Sequence, residues 1–233
     1  MNREELQKQF NLFEISSSKE QLDLLFSFMK YTLEENEKFN LTAIKDEGTF
    51  IEKMILDSAL VIHDLDLKNK TIIDVGTGAG FPGMIIKLLC PEAEVTLLDS
   101  TNKKIEHLKR FAVLNKLDLN FVSDRAENYS SAHRESFDYA TARAVASLNI
   151  LLEIITPLLK VGGTFLAMKG PGYEEEINAS QNALKKLGCK ISFIYEVELP
   201  ESKEKRAIIS ITKTKSTNKK YPRSYGEIKN QPL

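Results

Sequence analysis

The chain has 233 residues, of which 42% are hydrophobic and 28% charged, and its formal net charge is −1. This composition argues against general disorder, and no apolar run approaches the roughly 18 residues that a membrane span requires. The length suits one sizeable core with a smaller accessory element better than two equal domains.

Charge is spread unevenly along the chain. Residues 1–70 carry nine Lys or Arg and fourteen Asp or Glu, a net −5, whereas residues 213–233 carry six Lys or Arg and one Glu, a net +5. A basic segment of this kind can contact phosphate groups. It can equally be a solvated polar tail, and the composition leaves both interpretations open.

The sequence carries no clear signal for export or for metal binding. Its first residues, MNREELQKQF, are mixed in charge and do not resemble a secretory signal. Cys90 and Cys189 are isolated, and the three histidines lack the spacing typical of metal ligands. We therefore expect a cytoplasmic protein with reduced thiols, without a metal and without a membrane anchor. Nothing indicates an obligate oligomer, so we expect a monomer.

Residues 1–66 are predicted to form a helical extension packed on the core. Leu6, Phe10 and Phe13 recur at helical spacing, and a second run of this kind follows Ser18, which can cap its helix. The segment FNLTAI (residues 39–44) interrupts the pattern, and a further helix is expected from about Thr49 to Val61.

From Lys70 the pattern changes to alternating strands and helices. This alternation predicts a doubly wound, mostly parallel α/β sheet over residues 67–213, followed by a separate basic segment, residues 214–233. The last two strands are separated by LPESKEK and are expected to pair as an antiparallel hairpin. The expected strands are TIIDVG, Glu94–Leu98, Asn120–Ser123, FDYATARAV, TFLAMK, Lys190–Glu198 and Arg206–Thr212; the expected helices are Pro82–Leu89, Lys103–Asn115, Asn149–Leu159 and Tyr173–Leu187, with a turn at Gly162-Gly163.

A glycine-rich turn, DVGTGAGFPG (residues 74–83), follows the first predicted strand. Glycine tolerates positive φ and has no Cβ, so the backbone can pass close to a ligand, and the amides of the next helix can meet a polar head group. Asp99 ends the second strand, at the position expected for an acidic residue that binds ribose hydroxyls.

Two classes of enzyme use such a turn. Gly78, Gly80 and Gly83 match the dinucleotide fingerprint GxGxxG, but Gly83 falls a full turn too late to meet a diphosphate. The register from Asp74 through Gly76, Gly78 and Gly80 instead resembles the first motif of class I S-adenosylmethionine-dependent methyltransferases. A parallel sheet that ends in an antiparallel hairpin is also similar to that class. The resemblance implies that the three glycines bind the cofactor and that Asp74 lies near its methionine portion.

Two further segments are candidates for the cofactor pocket. Residues 124–127 follow the third strand, where an adenine would be held, although an ordinary polar loop is the alternative. Arg143 ends the fourth strand, at the edge where ligands bind in open α/β sheets. A structural ion pair is the competing explanation for Arg143.

Missing signatures restrict the methyl acceptor. The fourth strand lacks the Asn/Asp-Pro-Pro-aromatic signature of enzymes that methylate exocyclic adenine amines, and no Pro-Cys pair is present for cytosine C5 methylation. No His or carboxylate is obviously placed as a general base. N7 of guanine needs none of these groups, because its lone pair carries no proton and can attack the methyl group directly. The sequence permits this acceptor without requiring it.

Segments along nearly the whole chain resemble one family. FNLTAI, LDSA, DVGTGAGFPG, LLDSTNKKIEHL, RAE, TARAVA, MKG and YPR, in this order, resemble the bacterial small-subunit ribosomal RNA guanine-N7 methyltransferases, also known as glucose-inhibited division protein B. The resemblance implies S-adenosylmethionine as donor, S-adenosylhomocysteine as product and a guanine in the 530 loop of 16S rRNA as acceptor. The RNA partner would be free 16S rRNA, an assembly intermediate or the small ribosomal subunit, which implies a role in rRNA processing and ribosome biogenesis.

The same resemblance assigns residues to the site. Arg143 and Lys169 are candidates for a catalytic role, although no catalytic residue is assigned. After YPR the family usually continues with basic and proline-rich residues, whereas SYGEIKNQPL follows here. The implied cofactor contacts are Gly76, Phe81, Asp99, Ser100, Thr101, Ala126, Glu127 and Arg143, and the candidates for RNA contact or site architecture are Asn40, Lys169, Lys219, Lys220 and Arg223.

Two other interpretations stay open. The first is a methyltransferase of the same fold that acts on a different RNA, a protein or a small molecule, which the basic tail disfavours. The second is an RNA-binding protein that keeps the fold without its activity, which the intact glycine turn and Asp99 disfavour.

Overall fold

The computed structural model describes all residues, 1–233, and begins with three helices. They are α1 (Arg3–Leu12), α2 (Lys19–Phe39) and α3 (residues 47–62). Ser18 caps α2 as predicted: its hydroxyl accepts from the Gln21 amide, and the Gln21 side chain accepts from the Ser18 amide. The predicted interruption between α2 and α3 is also present. It arises because Asn40 ends α2 in the left-handed conformation.

The third helix is irregular. It begins as an α-helix at Glu47–Phe50, widens into a π-helix at Ile51–Leu56, returns to α-helix at Asp57–Ala59 and ends in a 3₁₀ turn at Leu60–Ile62. Helices with π segments are often found at functional sites. Here the wide segment presents its side chains to the end of the central sheet described next.

A seven-stranded sheet forms the centre of the molecule. The strand order is β3-β2-β1-β4-β5-β7-β6, and every neighbouring pair is parallel except β5–β7 and β7–β6. The predicted doubly wound sheet with a C-terminal antiparallel hairpin is therefore confirmed. The strands are β1 (Thr71–Val75), β2 (Glu94–Asp99), β3 (Asn120–Ser123), β4 (Phe137–Arg143), β5 (Leu159–Lys169), β6 (Cys189–Glu198) and β7 (Lys205–Lys213).

Two hydrophobic cores cover the two faces of the sheet. One joins α1, α2 and α3 to the helices α4 (Gly83–Leu89) and α5 (Asn102–Leu114). The other is formed by α7 (Leu148–Ile155) and α9 (Gln181–Leu187), with α6 (Ala126–Ala132) and α8 (Tyr173–Ala179) beside it. Because the N-terminal helices share a core with the sheet, residues 1–66 pack on it as an integral layer.

Two local predictions were wrong. The helix expected over residues 173–187 is two helices, because the buried Ser180 turns its hydroxyl back to the Glu176 carbonyl at 2.6 Å. The turn expected at Gly162-Gly163 lies within β5 as a bulge. There β4 advances from Phe137 to Tyr139 while β5 advances from Leu159 to Thr164.

The C-terminal basic segment is folded against the second core. After β7 the chain runs back along α6 and α7 and ends in the short helix α10 (Tyr225–Asn230), with Tyr221 and Ile228 buried. Arg223 donates to both carboxylate oxygens of the fully buried Glu153, at 2.8 and 2.7 Å. The segment is thus anchored to the core at Tyr221, Arg223 and Ile228, whereas most of its other residues, Lys219 and Lys220 among them, stay exposed.

Two further observations complete the fold. No helix combines the length and apolar character that crossing a bilayer would take. Cys90 and Cys189 are both unpaired.

The buried His107 should make the free energy of unfolding depend on pH. Its ring stacks on Tyr31 with centroids 4.7 Å apart, both ring nitrogens lack hydrogen-bond partners, and burial lowers the pKa of His107 to about 4. The folded state therefore keeps the imidazole neutral at a pH where the unfolded chain, with a pKa near 6.5, is already protonated.

We expect the His107 contribution to the free energy of unfolding to fall by about 2 kcal/mol between pH 7.5 and pH 5. The buried Asp74, whose pKa burial raises to about 6, changes stability in the opposite direction over this range. The effect is therefore measured as a difference: in urea titrations at both pH values, His107→Phe should lose less stability on acidification than the wild type. Parallel losses in both proteins would contradict the prediction.

Arg223→Ala should lower the free energy of unfolding by about 3–5 kcal/mol, because it leaves the buried Glu153 carboxylate without its ion pair. Lys219→Ala, an exposed change in the same segment, is the control and should stay within about 0.5 kcal/mol of the wild type. The double variant Glu153→Leu/Arg223→Leu removes both charges and should recover part of the loss. A stable Arg223→Ala protein would show that the ion pair does not hold the segment.

Candidate functional site

A cavity of about 460 Å³ opens at the carboxyl ends of β1 to β4, where the strand order reverses on either side of β1. Ligands bind at such switch points in open α/β sheets, and the volume is in the range of about 300–1,000 Å³ that small-molecule sites occupy. The predicted cofactor residues that line it are Gly76, Gly78, Phe81, Asp99, Ser100, Thr101, Ala126, Glu127 and Arg143.

The glycine turn forms the floor of this cavity. Gly76 has φ +73°, and a Cβ there would lie 2.6 Å from a methyl group of Val145, which lines the cavity beside it. Gly78 has φ +59°, and its amide donates to the Asp99 carboxylate at 3.0 Å. A side chain at Gly76 would thus displace the cavity wall, and both positions favour glycine by conformation.

Asp74 and Gly80 have a different place from the one predicted. Neither lines the cavity. The completely buried Asp74 accepts from the Gly83 amide at 2.8 Å and so holds the start of α4, and burial raises the pKa of Asp74 to about 6. A Cβ on Gly80 would lie 2.7 Å from Leu108 in the core. Both residues shape the turn from beneath.

Asp99 is the buried acidic residue of the cavity. One carboxylate oxygen accepts from the Gly78 amide and the other from the Thr101 amide, at 3.0 and 2.8 Å. A carboxylate oxygen can accept more than one hydrogen bond, so lone pairs stay free for a ligand. The nearest cation, the Lys104 ammonium, is 3.8 Å away. The buried acceptor beside a glycine floor fits the ribose of an adenosyl group.

The far end of the cavity lies beyond β3. Glu127 is paired with the Arg125 guanidinium at 3.1 Å, and both side chains line the cavity with Ala126. Tyr225, from the C-terminal segment, completes the wall there, and the Arg125 guanidinium carbon lies 4.8 Å from the centre of its ring. Nothing in the sequence pattern indicated Tyr225, because it reaches the site only through the path of the tail.

The structural ion pair that is one explanation for Arg143 is present, and the side chain also faces the cavity. It lines the cavity, and it also donates to the Lys53 carbonyl at 2.8 Å and lies 3.6 Å from the Asp57 carboxylate. Arg206 binds the same carboxylate at 3.1 Å. Burial raises the pKa of Asp57 and lowers that of Arg143, and the attraction between their charges opposes both shifts. The carboxylate and the two guanidinium groups form a charged cluster, which we call the Asp57 cluster.

A second cavity, of about 770 Å³, adjoins the first at the Asp57 cluster. The two cavities share Met54, Arg143, Ala144 and Val145. Ala144 has φ +53°, an unfavourable conformation for a residue with a Cβ, and such strain concentrates at functional sites. Sequence reasoning did not identify Lys53, Asp57 or Arg206, which also line the second cavity. The LDSA segment, which contains Asp57, stands out in the sequence only as part of the family pattern.

Lys169 lines the second cavity with a nearly buried side chain. Its ammonium donates to the Ala146 carbonyl at 2.9 Å and to Glu176 at 2.7 Å, while Glu176 also accepts from the Leu148 amide at 2.6 Å. These contacts hold the loop that follows β4. Lys169 is therefore placed to position the loop between β4 and α7.

The other predicted RNA contacts lie outside both cavities. Asn40 is exposed at the end of α2, and its neighbours Leu41 and Thr42 line the first cavity instead. The buried Asn36 holds that loop through both hydrogen bonds of its amide group to the Thr42 backbone. Lys219 and Lys220 are exposed on the C-terminal segment.

No cluster of three or more His, Cys, Asp or Glu side chains is arranged to hold a metal ion.

Comparisons with known proteins agree with this geometry. The family model GidB, described as rRNA small subunit methyltransferase G, matches residues 21–212. A protein of Alkaliphilus metalliredigens named ribosomal RNA small subunit methyltransferase G is 46% identical over 217 residues, which are 91% of each chain.

Solved structures share the fold at low sequence identity. M. jannaschii TYW2, solved in complex with AdoMet, has a TM-score of 0.54 at 15% identity and covers 68% of this chain and 75% of its own. A TehB-like SAM-dependent methyltransferase from Corynebacterium glutamicum has a TM-score of 0.50 at 16% identity and covers 68% and 88%. The predicted class I methyltransferase fold is thereby confirmed. With a family model that matches most of its length and a relative 46% identical, the chain belongs to the rRNA small subunit methyltransferase G family.

Proposed function

We propose that the protein transfers a methyl group from S-adenosylmethionine to N7 of a guanine in the 530 loop of 16S rRNA. The observation that carries the proposal is the pair of cavities that meet at residues 143–145. The first has the volume, the glycine floor and the buried carboxylate acceptor expected for an adenosyl group. The second is lined by four basic side chains, those of Lys53, Arg143, Lys169 and Arg206.

The order of the cavities along the sheet supports a direction for the donor. Asp99 and the residues after β3 lie on one side of the glycine turn, whereas Arg143 lies on the other, next to the second cavity. The nucleoside part of the donor would therefore extend toward β3. Its sulfonium would face the junction of the cavities, where an acceptor in the second cavity can approach it.

The second cavity lacks a free general base. Its two carboxylates are both engaged, Asp57 by Arg143 and Arg206, and Glu176 by Lys169 and the Leu148 amide. No histidine, cysteine or tyrosine lines it. An acceptor that must lose a proton before or during transfer would find no group here to accept that proton. Guanine N7 has no proton to lose, which supports it over an amino group or a ring carbon.

The chain's contribution to transfer is then binding and alignment. When bound, S-adenosylmethionine supplies an electrophilic methyl group on sulfur. The N7 lone pair forms the new N–C bond as the S–C bond breaks, and S-adenosylhomocysteine leaves as product. Asp99 holds the ribose, and the strained backbone at Ala144 fixes the junction through which the base approaches. The N–H donors that the four basic side chains keep beyond their ion pairs can bind guanine O6 and neighbouring phosphates.

The RNA partner in this proposal is 16S rRNA, alone or within the small subunit or its assembly intermediate. Basic groups beside the second cavity and the exposed Lys219 and Lys220 can contribute phosphate contacts, and these weaken with salt. We further propose that the protein acts as a monomer in the cytoplasm, where its RNA is made and assembled.

Asp99→Asn should weaken S-adenosylmethionine binding by roughly tenfold or more in calorimetry, because one charge-assisted hydrogen bond to the ribose is lost. Asp118→Asn is the matched control, since it makes the same change at an exposed position outside the cavity. It should bind like the wild type. Equal affinities for all three proteins would reject the assignment of Asp99.

The acceptor atom is tested on small subunits from a strain that lacks the gene. Incubation with the protein and labelled S-adenosylmethionine should introduce one 7-methylguanosine in the 530 loop, detected by borohydride/aniline cleavage. A 16S rRNA fragment with 7-deazaguanine at that position should accept no methyl group, because it has no N7. Methylation of the deaza substrate, or label in another nucleoside or molecule, would show that the methyl acceptor is not N7 of this guanine.

A further inference from the structure

The C-terminal segment takes a fixed path from the end of β7 to the first cavity. After β7 it is held by Arg134, whose guanidinium donates to the carbonyls of Thr217 and Tyr221 at 2.6 Å each. Arg223 then pairs with the buried Glu153 of α7. The next residue in α7, Ile154, lines the cavity, so the segment is anchored directly beside the site.

The short helix that follows is fixed at both ends. Ser224 caps it reciprocally with Glu227, and Ile228 is fully buried. The first residue of this helix, Tyr225, lines the cavity. The Arg125 guanidinium lies against its ring and is itself paired with Glu127. The ring is thus held by a cation–π contact, with the guanidinium carbon 4.8 Å from the ring centre.

The position of Tyr225 along the cavity indicates which part of a ligand it meets. The ring lies among residues 124–127, which follow β3, whereas the junction with the second cavity lies after β4 at the opposite end. With Asp99 on the ribose between them, the β3 end is left for the purine base. An aromatic ring offers a base a stacking surface without demanding a hydrogen-bond pattern.

We propose that Tyr225 binds the adenine of the cofactor, so that the C-terminal segment supplies part of the nucleoside site. The inference rests on the proposed use of S-adenosylmethionine and adds a residue to that site. It also gives the segment a role close to the donor, although the sequence suggested only a basic tail. A purine nucleoside is the chemical class that this end of the cavity takes.

Calorimetry with S-adenosylmethionine, S-adenosylhomocysteine and adenosine tests the proposal on the full-length protein. Tyr225→Ala should weaken all three ligands by a similar factor, about tenfold, as removal of an aromatic group that stacks on a base does. Tyr225→Phe should stay within about twofold of the wild type, because the phenyl ring keeps the stacking surface. Tyr225→Leu keeps apolar bulk without a ring and should resemble Tyr225→Ala.

Asn230→Ala, an exposed change in the same helix, is the control and should leave all three affinities unchanged. Unfolding midpoints without ligand show whether each variant keeps its fold. Wild-type affinity in Tyr225→Ala, or in Tyr225→Leu, would overturn the role of the ring. A loss confined to S-adenosylmethionine, with adenosine unaffected, would overturn the assignment to the base.

The wild-type protein separates this inference from the function it rests on. If the wild type binds none of the three ligands, the donor assignment fails and the role of Tyr225 falls with it. If the wild type binds them and the variants behave as expected, the inference stands even where the RNA acceptor proves to be a different one.

Discussion

The backbone of residues 76–83 must line the floor of the first cavity while it turns from strand to helix, and the rest of the site depends on this constraint. Two buried or nearly buried carboxylates hold the turn from either side: Asp74 accepts from the Gly83 amide and Asp99 from the Gly78 amide. The glycines serve different purposes. Gly76 lets the end of β4 approach, and Gly80 lets the helical core of the first layer pack. The floor of the cavity and part of the core are therefore fixed by the same short turn, residues 74–83.

The Asp57 cluster joins the N-terminal helices to the walls of the two cavities. Asp57 belongs to the irregular helix α3, whereas its two guanidinium partners come from the ends of β4 and β7. Buried ion pairs of this kind contribute little net stability but are sensitive to the loss of one partner. Here the cluster fixes the wall between two cavities, so the N-terminal layer shapes the second cavity as well as covering the sheet.

Much of the fold and part of the site could be predicted from local patterns. Strand and helix alternation, the glycine turn and the acidic residue at the end of β2 are properties of short segments, and they predict the sheet, the floor of the cavity and Asp99. Local patterns gave wrong element boundaries where one contact altered the backbone. Ser180 divides the helix expected over residues 173–187, and a bulge in β5 takes the place of the turn expected at Gly162-Gly163. Local patterns also could not separate Gly76 and Gly78, which line the cavity, from Gly80, which faces the core.

The sequence by itself determined the class of fold, the position of the glycine turn and the family pattern, because periodicity and turn chemistry act over a few residues. Only the tertiary structure decided which distant groups meet: it paired Arg223 with Glu153, set the Lys169 ammonium against the loop after β4, and brought Tyr225 to the β3 end of the cavity. These contacts join residues far apart in the chain, and their energies come from burial and from partners that no local pattern specifies.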